Sequence, residues 1–266
     1  MSISLRPLPG TTRDPLYPDS DGKPMAETEY HLLAITHLYG VLRQWFLPKG
    51  VHVAADMLLY YEEGNPSAVR GPDVMVSKGV RGTHLRRSFR TWEEGVVPAV
   101  IIEVTSASTK GEDQFEKPAI YASLGVKEYL LFDPVGEYLR PRLQGFQLKG
   151  GQYVPMPQEQ TDRLSSAELG LDLVIDAHLL RVVDPATGTR LPTREEYQEQ
   201  VKRLRREAAE AKRATAKAGR AAAKAEQAAA KAEQDAEIER HRSAALEAEN
   251  ARLRALLPPD QRQGQE

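Results

Sequence analysis

The sequence predicts a mixed α/β domain followed by a long helix. Before Pro192, segments with helical spacing alternate with short β-branched and aromatic runs in the order α-β-β-β-α-β. From Thr193 to Leu257 the chain has no proline and one glycine, and it is dominated by Ala, Glu, Lys, Arg and Gln. A chain of 266 residues with 41% hydrophobic content can bury one sizeable core and carry such an appendage.

The first elements follow from periodicity and chain breakers. Apolar residues at helical spacing predict a helix from Glu27 to Leu47, which the breakers in LPKG end. The run from Val51 to Tyr61 predicts a strand that bends near Ala54 and Ala55 and closes in the turn EEGNPS. The segments DVMVS and AVIIEVT predict the second and third strands.

A second helix and a fourth strand complete the predicted order. Asp113 can cap a helix that ends near Leu124, where Gly125 is placed to stop it, although Pro118 favours a later start. The run EYLLFD predicts a strand that the short crossover joins in parallel to the third strand. The segments GFQLK and GQYVPM predict a hairpin joined near Gly150 and Gly151.

The C-terminal segment has a heptad pattern. Alternate steps of four and three residues from Tyr197 trace a seam with an alanine-rich middle and leucine-bearing ends. The final run LEAENARLRALL places leucines at core positions with Asn250 between them, a device that favours paired helices in register. The pattern favours self-association or capture of a partner, and a solvated single helix is the alternative.

Composition and charge exclude several classes of protein. The net charge of −2 gives no global basic surface, so any contact with nucleic acid must use a local patch. The absence of cysteine excludes disulfides, zinc-thiolate sites and thiol nucleophiles, so a metal ion would be held by oxygen or imidazole. No signal-peptide core and no apolar run of about 18 residues is found, which predicts a cytoplasmic protein that does not enter a membrane.

One charged residue lies inside the predicted third strand. Glu103 interrupts the apolar run AVIIEV, and burying an ionised carboxylate without a partner is costly unless it holds a cation, a metal ion or a proton. Asp73 begins the second strand, so neighbouring strands would place the two acids side by side, where they can share Mg²⁺ or Mn²⁺. Lys117 can reach back towards the same strand ends, and the three residues indicate metal-assisted hydrolysis.

These residues carry a resemblance to a known family. PDVMV, PAVIIEVTSAST, Asp113 with Lys117 four residues on, and YASLGVKEYLLFDP resemble the Uma-two group of putative restriction endonucleases in the PD-(D/E)XK superfamily, from about Met25 to Met156. The resemblance implies a restriction-endonuclease-like fold, a central mixed sheet flanked by helices. It also implies DNA as partner, Asp73 as the motif aspartate and Glu103 as the second acid.

The sequence departs from the superfamily at one position. Thr105 stands where the superfamily lysine is expected, two residues after Glu103, so the basic role moves to Lys117 or is absent. His31 and Glu27 fall where some relatives contribute an additional metal-associated group, and Asp113 is a further accessory candidate. A structural explanation stands beside each: Glu103 paired with Lys117 as a purely structural salt bridge, Asp113 as a helix cap, and His31 as a satisfied histidine.

A positive loop lies between the two acid-bearing strands. The segment VRGTHLRRSFR brings four arginines that are candidate phosphate contacts, with a solvated charged loop as the alternative: Arg81, Arg86, Arg87 and Arg90. Tyr121 and Tyr129 are most simply core aromatics with a polar end.

The sequence therefore predicts a domain organisation and a function. We expect a flexible segment over residues 1–24, an α/β domain over 25–185, a coiled-coil helix over 193–257 and a disordered tail over 258–266. The predicted function is metal-dependent hydrolysis of DNA by a homo-oligomer. The alternative, which Thr105 favours, is an inactive nuclease-fold scaffold acting through its coiled coil. A hydrolase of small phosphorylated or glycosidic substrates has less support, because no Gly-rich phosphate loop is evident.

Overall fold

The computed structural model of the chain describes residues 8–11, 13–22, 28–82 and 84–255. The helices are α1 (Glu29–Phe46), α2 (Thr91–Glu94), α3 (Lys117–Leu124) and α4 (Arg194–Ala255), with a 3-10 turn at Leu47–Lys49 and a π-helical turn at Glu112–Glu116. The strands are β1 (His52–Ala55), β2 (Leu59–Tyr60), β3 (Val69–Arg70), β4 (Val74–Ser77), β5 (Phe89–Arg90), β6 (Val100–Val104), β7 (Glu128–Phe132), β8 (Leu143–Lys149), β9 (Gln152–Pro155), β10 (Arg163–Ser166), β11 (Leu171–Asp176), β12 (Leu179–Asp184) and β13 (Thr189–Arg190).

The chain is a mixed α/β protein whose main sheet has six strands in the order β1-β4-β6-β7-β8-β9. Within this sheet only the β6–β7 pair is parallel, joined through α3, and the other neighbours are antiparallel. The order α-β-β-β-α-β is therefore confirmed for α1, β1, β4, β6, α3 and β7. The hairpin at Gly150 and Gly151 is confirmed as β8 and β9.

The main sheet is covered on both faces by apolar side chains. Alternate residues of β6 point to opposite faces, so Val100, Ile102 and Val104 join the core under α1. That core also includes Leu173 and Leu180 of a second sheet, which has the order β10-β11-β12-β13. Ile101 and Glu103 point to the other face, where a smaller core contains Tyr121 and Tyr129. Glu103 is thus directed into the protein.

The predicted first strand is two strands in different sheets. β1 pairs with β4 in the main sheet, whereas β2 pairs with β3 and β5 in a small three-stranded sheet. The change occurs at Asp56, whose φ of 48° lies in the left-handed region and turns the chain. The predicted bend was therefore correct in kind, but the single strand was wrong because the chain leaves the main sheet there.

The N-terminal residues 8–11 and 13–22, expected to belong to a flexible segment, are packed onto the small sheet. Tyr17 is buried against Tyr60 and Trp92, and its hydroxyl accepts a hydrogen bond from the Gly64 backbone at 2.6 Å. A Cβ at Gly10 would lie 2.3 Å from the Ser88 carbonyl oxygen, so only glycine fits this approach. An aromatic anchor and backbone hydrogen bonds hold the segment, which the Pro, Gly and Asp composition did not indicate.

The chain divides into two compact units, one up to Gln198 and one from Glu199 onward. The second contains most of α4, a helix of 62 residues with no buried residue. A coiled coil over residues 193–257 stays a prediction, and Leu256 onward lies outside the described residues. In the part of the chain that the structure describes, no helix combines the length and the apolar character needed to cross a membrane.

Candidate active site

The two predicted acids meet across neighbouring antiparallel strands. The register pairs Val74 of β4 with Ile102 of β6, which places Asp73 opposite Glu103. The Asp73 backbone N–H donates to Glu103 Oε2 at 3.2 Å, and the Val104 backbone N–H donates to Asp73 Oδ2 at 2.7 Å. Because side-chain oxygens of an aspartate lie at most about 5 Å from its own nitrogen, the two carboxylates lie within about 8 Å of each other.

Lys117 completes this group from the other side. The π-helical turn before α3 places Lys117 at the first residue of the helix, and Pro118 follows at a position where its missing N–H is tolerated. The ammonium lies 3.1 Å from Glu103 Oε2 and 2.7 Å from Asp113 Oδ1. The ammonium that Thr105 cannot supply is therefore provided beside Glu103 by a residue on the neighbouring helix.

Asp113 is a buried partner of Lys117 and not the helix cap that its position suggested. The Asp113 backbone N–H bonds to the Thr109 carbonyl oxygen, as in a helix interior, and the side chain is fully buried. Its second oxygen, Oδ2, is buried without a hydrogen-bond partner within 3.5 Å. Burial of this carboxylate has a cost that one lysine offsets only in part.

The electrostatics of the site show a shortage of positive charge. Burial raises the pKa of Glu103 to about 8, against the lowering effect of Lys117, and Asp73 and Asp113 raise it further. Burial also raises the pKa of Asp113, again against Lys117. Burial alone would lower the pKa of Lys117, but the carboxylates of Glu103 and Asp113 outweigh it and raise that pKa above its usual value. The lysine is thus held as ammonium among acids that favour an additional positive charge.

His31 and Asp56 lie at the more open side of the site. Thr28 caps α1 by accepting from the His31 backbone N–H, and the His31 Nε2 atom lies 3.4 Å from Asp73 Oδ2. The Asp73 side chain is 16% exposed, in contrast to the fully buried Glu103. Asp56 donates its backbone N–H to the Asp73 carbonyl oxygen, and burial, with Asp73 as the next cause, raises the Asp56 pKa. Glu27, the other accessory candidate, lies outside the described residues.

Two buried tyrosine hydroxyls donate hydrogen bonds to the acidic residues of the site. The Tyr121 hydroxyl donates to Glu103 Oε1 at 3.0 Å, and the Tyr129 hydroxyl donates to the Asp113 carbonyl oxygen at 2.9 Å. Both tyrosines were predicted to be core aromatics with a polar end, and their contacts with the site were not predicted. The spacing of four residues between Lys117 and Tyr121, which puts them on one helix face, was the available signal.

The four arginines of the predicted positive loop separate into two kinds. Arg86 is fully buried with its guanidinium on Glu94, and Arg90 is buried on Glu93 and Asp14. Neither guanidinium is accessible to a phosphate. Arg86 links the loop to α2, and Arg90 links α2 to the N-terminal segment. Arg81 is exposed, and Arg87 is half-exposed and paired with Asp19.

The donor chemistry fits a hard divalent ion in part. Asp73 and Glu103 offer oxygen ligands, and Mg²⁺ is bound in many proteins by one or two carboxylates with water and phosphate completing its shell. Within the described ranges, no group of three or more His, Asp and Glu side chains is arranged to hold a metal ion. The residues therefore fit an ion that takes its remaining ligands from water and substrate.

The fold and this site define a mixed α/β protein in which two acids and a lysine meet at the ends of neighbouring strands. The chain belongs to the family described as "Uma2: Putative restriction endonuclease", whose model matches residues 6–178. This membership confirms the resemblance and supports a nuclease, a hydrolase that acts on phosphodiester bonds.

Among solved structures, the chain is similar to one described as a "putative nuclease belonging to DUF820 from Anabaena variabilis ATCC 29413". The identity is 13%, the match covers 55% of this chain and 76% of that chain, and the TM-score is 0.41. None of the curated proteins matches the chain.

Proposed function

We propose that this protein hydrolyses phosphodiester bonds in DNA with Mg²⁺ or Mn²⁺ held by Asp73 and Glu103. The observation that carries the proposal is the meeting of Asp73, Glu103 and Lys117, which come from three separate stretches of sequence, in a member of a restriction endonuclease family. The bound ion would neutralise charge on the phosphate and activate water.

The protein's own residues would supply positioning and fixed charge. Tyr121 and the Asp73 backbone N–H orient the two oxygens of Glu103, and the Val104 backbone N–H orients Asp73. Lys117, protonated because of its two acidic neighbours, would stabilise negative charge on the phosphate. Asp113 would act as the positioning residue that keeps Lys117 beside Glu103.

The partner surface and accessory group are parts of the same proposal. His31 is the proposed accessory metal-associated residue, and its Nε2 atom at 3.4 Å from Asp73 Oδ2 supports this role. Arg81 and Arg87 remain the phosphate contacts proposed on the loop, because their guanidinium groups are not buried. Such contacts would position the DNA without reading its sequence. We also propose that the chain self-associates through residues 193–257.

Nicking of supercoiled plasmid, with Mg²⁺, with Mn²⁺ and with chelator, tests the proposal. Asp73→Asn, Glu103→Gln and Lys117→Met are expected to abolish metal-dependent nicking, whereas the exposed neighbours Glu116→Gln and Lys110→Met keep it. Equal activity in all variants would overturn the proposed site. Wild-type protein that is folded, saturated with metal ion and inactive would favour the scaffold alternative instead.

A further inference from the structure

Helix α4 exposes a row of large apolar side chains. Tyr197, Leu204, Leu246 and Leu253 are between 46% and 58% exposed, and all four occupy the same heptad position, d. At about 1.5 Å per residue the helix is about 93 Å long, and no described residue of it is buried. Leucines repeated on one side of such a helix need a partner surface to remove them from water.

The charged residues that flank this heptad seam indicate which partner helix fits it. In a parallel two-stranded coil, position g of one helix faces position e of the next heptad in the other helix. With Val201 at position a, four such g–e pairs have two charged members, and in every one the charges are opposite. The pairs are Glu207 with Lys212, Asp235 with Arg240, Arg242 with Glu247, and Glu249 with Arg254. The seam is therefore self-complementary towards a second copy of the same helix.

The direction and register of the pair follow from the same residues. In an antiparallel pair, g faces g and e faces e, so these four attractive contacts would not form. Asn250 occupies position a between Leu246 and Leu253, and in a parallel, unshifted pair it meets its own copy in the partner helix. A shift by one heptad would place one Asn250 opposite Ser243 and the other opposite Leu257, so the symmetric hydrogen bond between the two Asn250 side chains would be lost.

We propose that two copies of this chain form a parallel, in-register, two-stranded coiled coil over residues 197–253. The inference rests on the proposed self-association and adds the number, direction and register of the helices. Association strength comes from the leucine-bearing ends, because the alanine middle buries little area and Glu239 and Ser243 are polar seam residues. Since both helices run in one direction, both begin at the same end of the coil, and one assembly carries two copies of the proposed site.

Reversal of one charged pair tests the direction. Glu249→Arg and Arg254→Glu each turn two attractive contacts of the dimer into repulsive ones, and each is expected to weaken dimerisation about tenfold. The double variant restores attraction and is expected to restore wild-type association, measured by sedimentation of the full chain. Equal association of all four proteins, or a double variant as weak as the singles, would overturn the inference.

Cysteine cross-linking tests the register. The chain has no cysteine, so Leu246→Cys introduces a single thiol at position d, and Ala248→Cys gives a matched thiol at the outward position f. Mild oxidation is expected to link the first variant into covalent dimers and not the second. A mixture of Leu204→Cys and Leu246→Cys proteins, unfolded and refolded together, is expected to link only like with like.

The outcomes separate this inference from the self-association on which it rests. A wild-type chain that is monomeric by light scattering overturns both. A trimer, or a disulfide between residues 204 and 246, leaves self-association standing and overturns the parallel dimer alone. Nuclease activity does not enter either measurement, so the result is independent of the proposed chemistry.

Discussion

Replacement of Glu103 by glutamine is expected to stabilise the metal-free protein while it abolishes hydrolysis. Glu103 is fully buried, and burial raises its pKa from an ordinary value of 4.5 to about 8. Glutamine keeps the shape and removes the charge. Its oxygen can still accept from the Asp73 backbone N–H and from Lys117, and its amide can donate to the Tyr121 hydroxyl.

The magnitude follows from linkage between protonation and folding. The carboxyl binds its proton more tightly in the folded protein than in the unfolded chain, so its contribution to stability is lost as pH rises from 4.5 to about 8. At about 1.4 kcal/mol per pKa unit, the stability lost relative to low pH is about 3 kcal/mol at pH 7 and at most about 5 kcal/mol above pH 8. Glu103→Gln is expected to recover much of this difference.

Denaturant unfolding in chelator at pH 5, 7 and 8.5 measures the effect. The variant should gain stability over wild type as pH rises, and Mg²⁺ should stabilise wild type but not the variant. The matched change at exposed Glu116→Gln should leave the free energy of unfolding within about 0.5 kcal/mol of wild type at each pH. A Glu103→Gln protein that is less stable than wild type at pH 8.5 would refute the reasoning. It would mean that ionised Glu103 gains more from its ion pair with Lys117 than its burial costs.

Three other outcomes are expected. Lys117→Met should destabilise the protein by about 3 kcal/mol or more, because it leaves buried Glu103 and Asp113 without their cation. Thermal melts of this variant measure the loss, and exposed Lys110→Met should be neutral in the same melts. Arg86→Met should lower the free energy of unfolding by about 3 to 5 kcal/mol, because the buried pair with Glu94 is lost. Arg87→Met, which removes an exposed pair, should lower it by less than about 1 kcal/mol. Equal losses would contradict the buried role of Arg86. Burial, and next the Arg86 charge, lower the pKa of His52 to about 4. The free energy of unfolding should therefore fall by up to about 3 kcal/mol as the pH drops from 6.5 to 4. Denaturant unfolding of His52→Gln should lack this part of the pH dependence.

The order of elements around the site was predictable because it depends on local pattern. The helical spacing before Pro48, the apolar run into Glu103 and the Gly125 stop are each read from a few adjacent residues. The meeting of Asp73, Glu103 and Lys117 followed from strand adjacency together with the family resemblance.

The missed features depend on contacts between distant parts of the chain. The role of Arg86 is set by its buried pair with Glu94 and by the Gly82 and His84 carbonyl oxygens, which a count of positive charge in the loop cannot reveal. Tyr121 looks like any core aromatic until Glu103 is placed above its hydroxyl. The chain leaves the main sheet at Asp56 through a left-handed backbone conformation, and the sequence predicted a bend near this point but not the change of sheet.

The packed N-terminal segment determines where a minimal folding domain can begin. Tyr17 covers Tyr60 and Trp92, and Asp14 and Glu93 share the buried Arg90. Removal of the first 24 residues would uncover two aromatic rings and leave Arg90 with one acid fewer, which creates an apolar patch of the kind that promotes aggregation. A truncated domain intended for crystallisation should therefore retain the chain from Leu8, although the predicted domain starts at Met25.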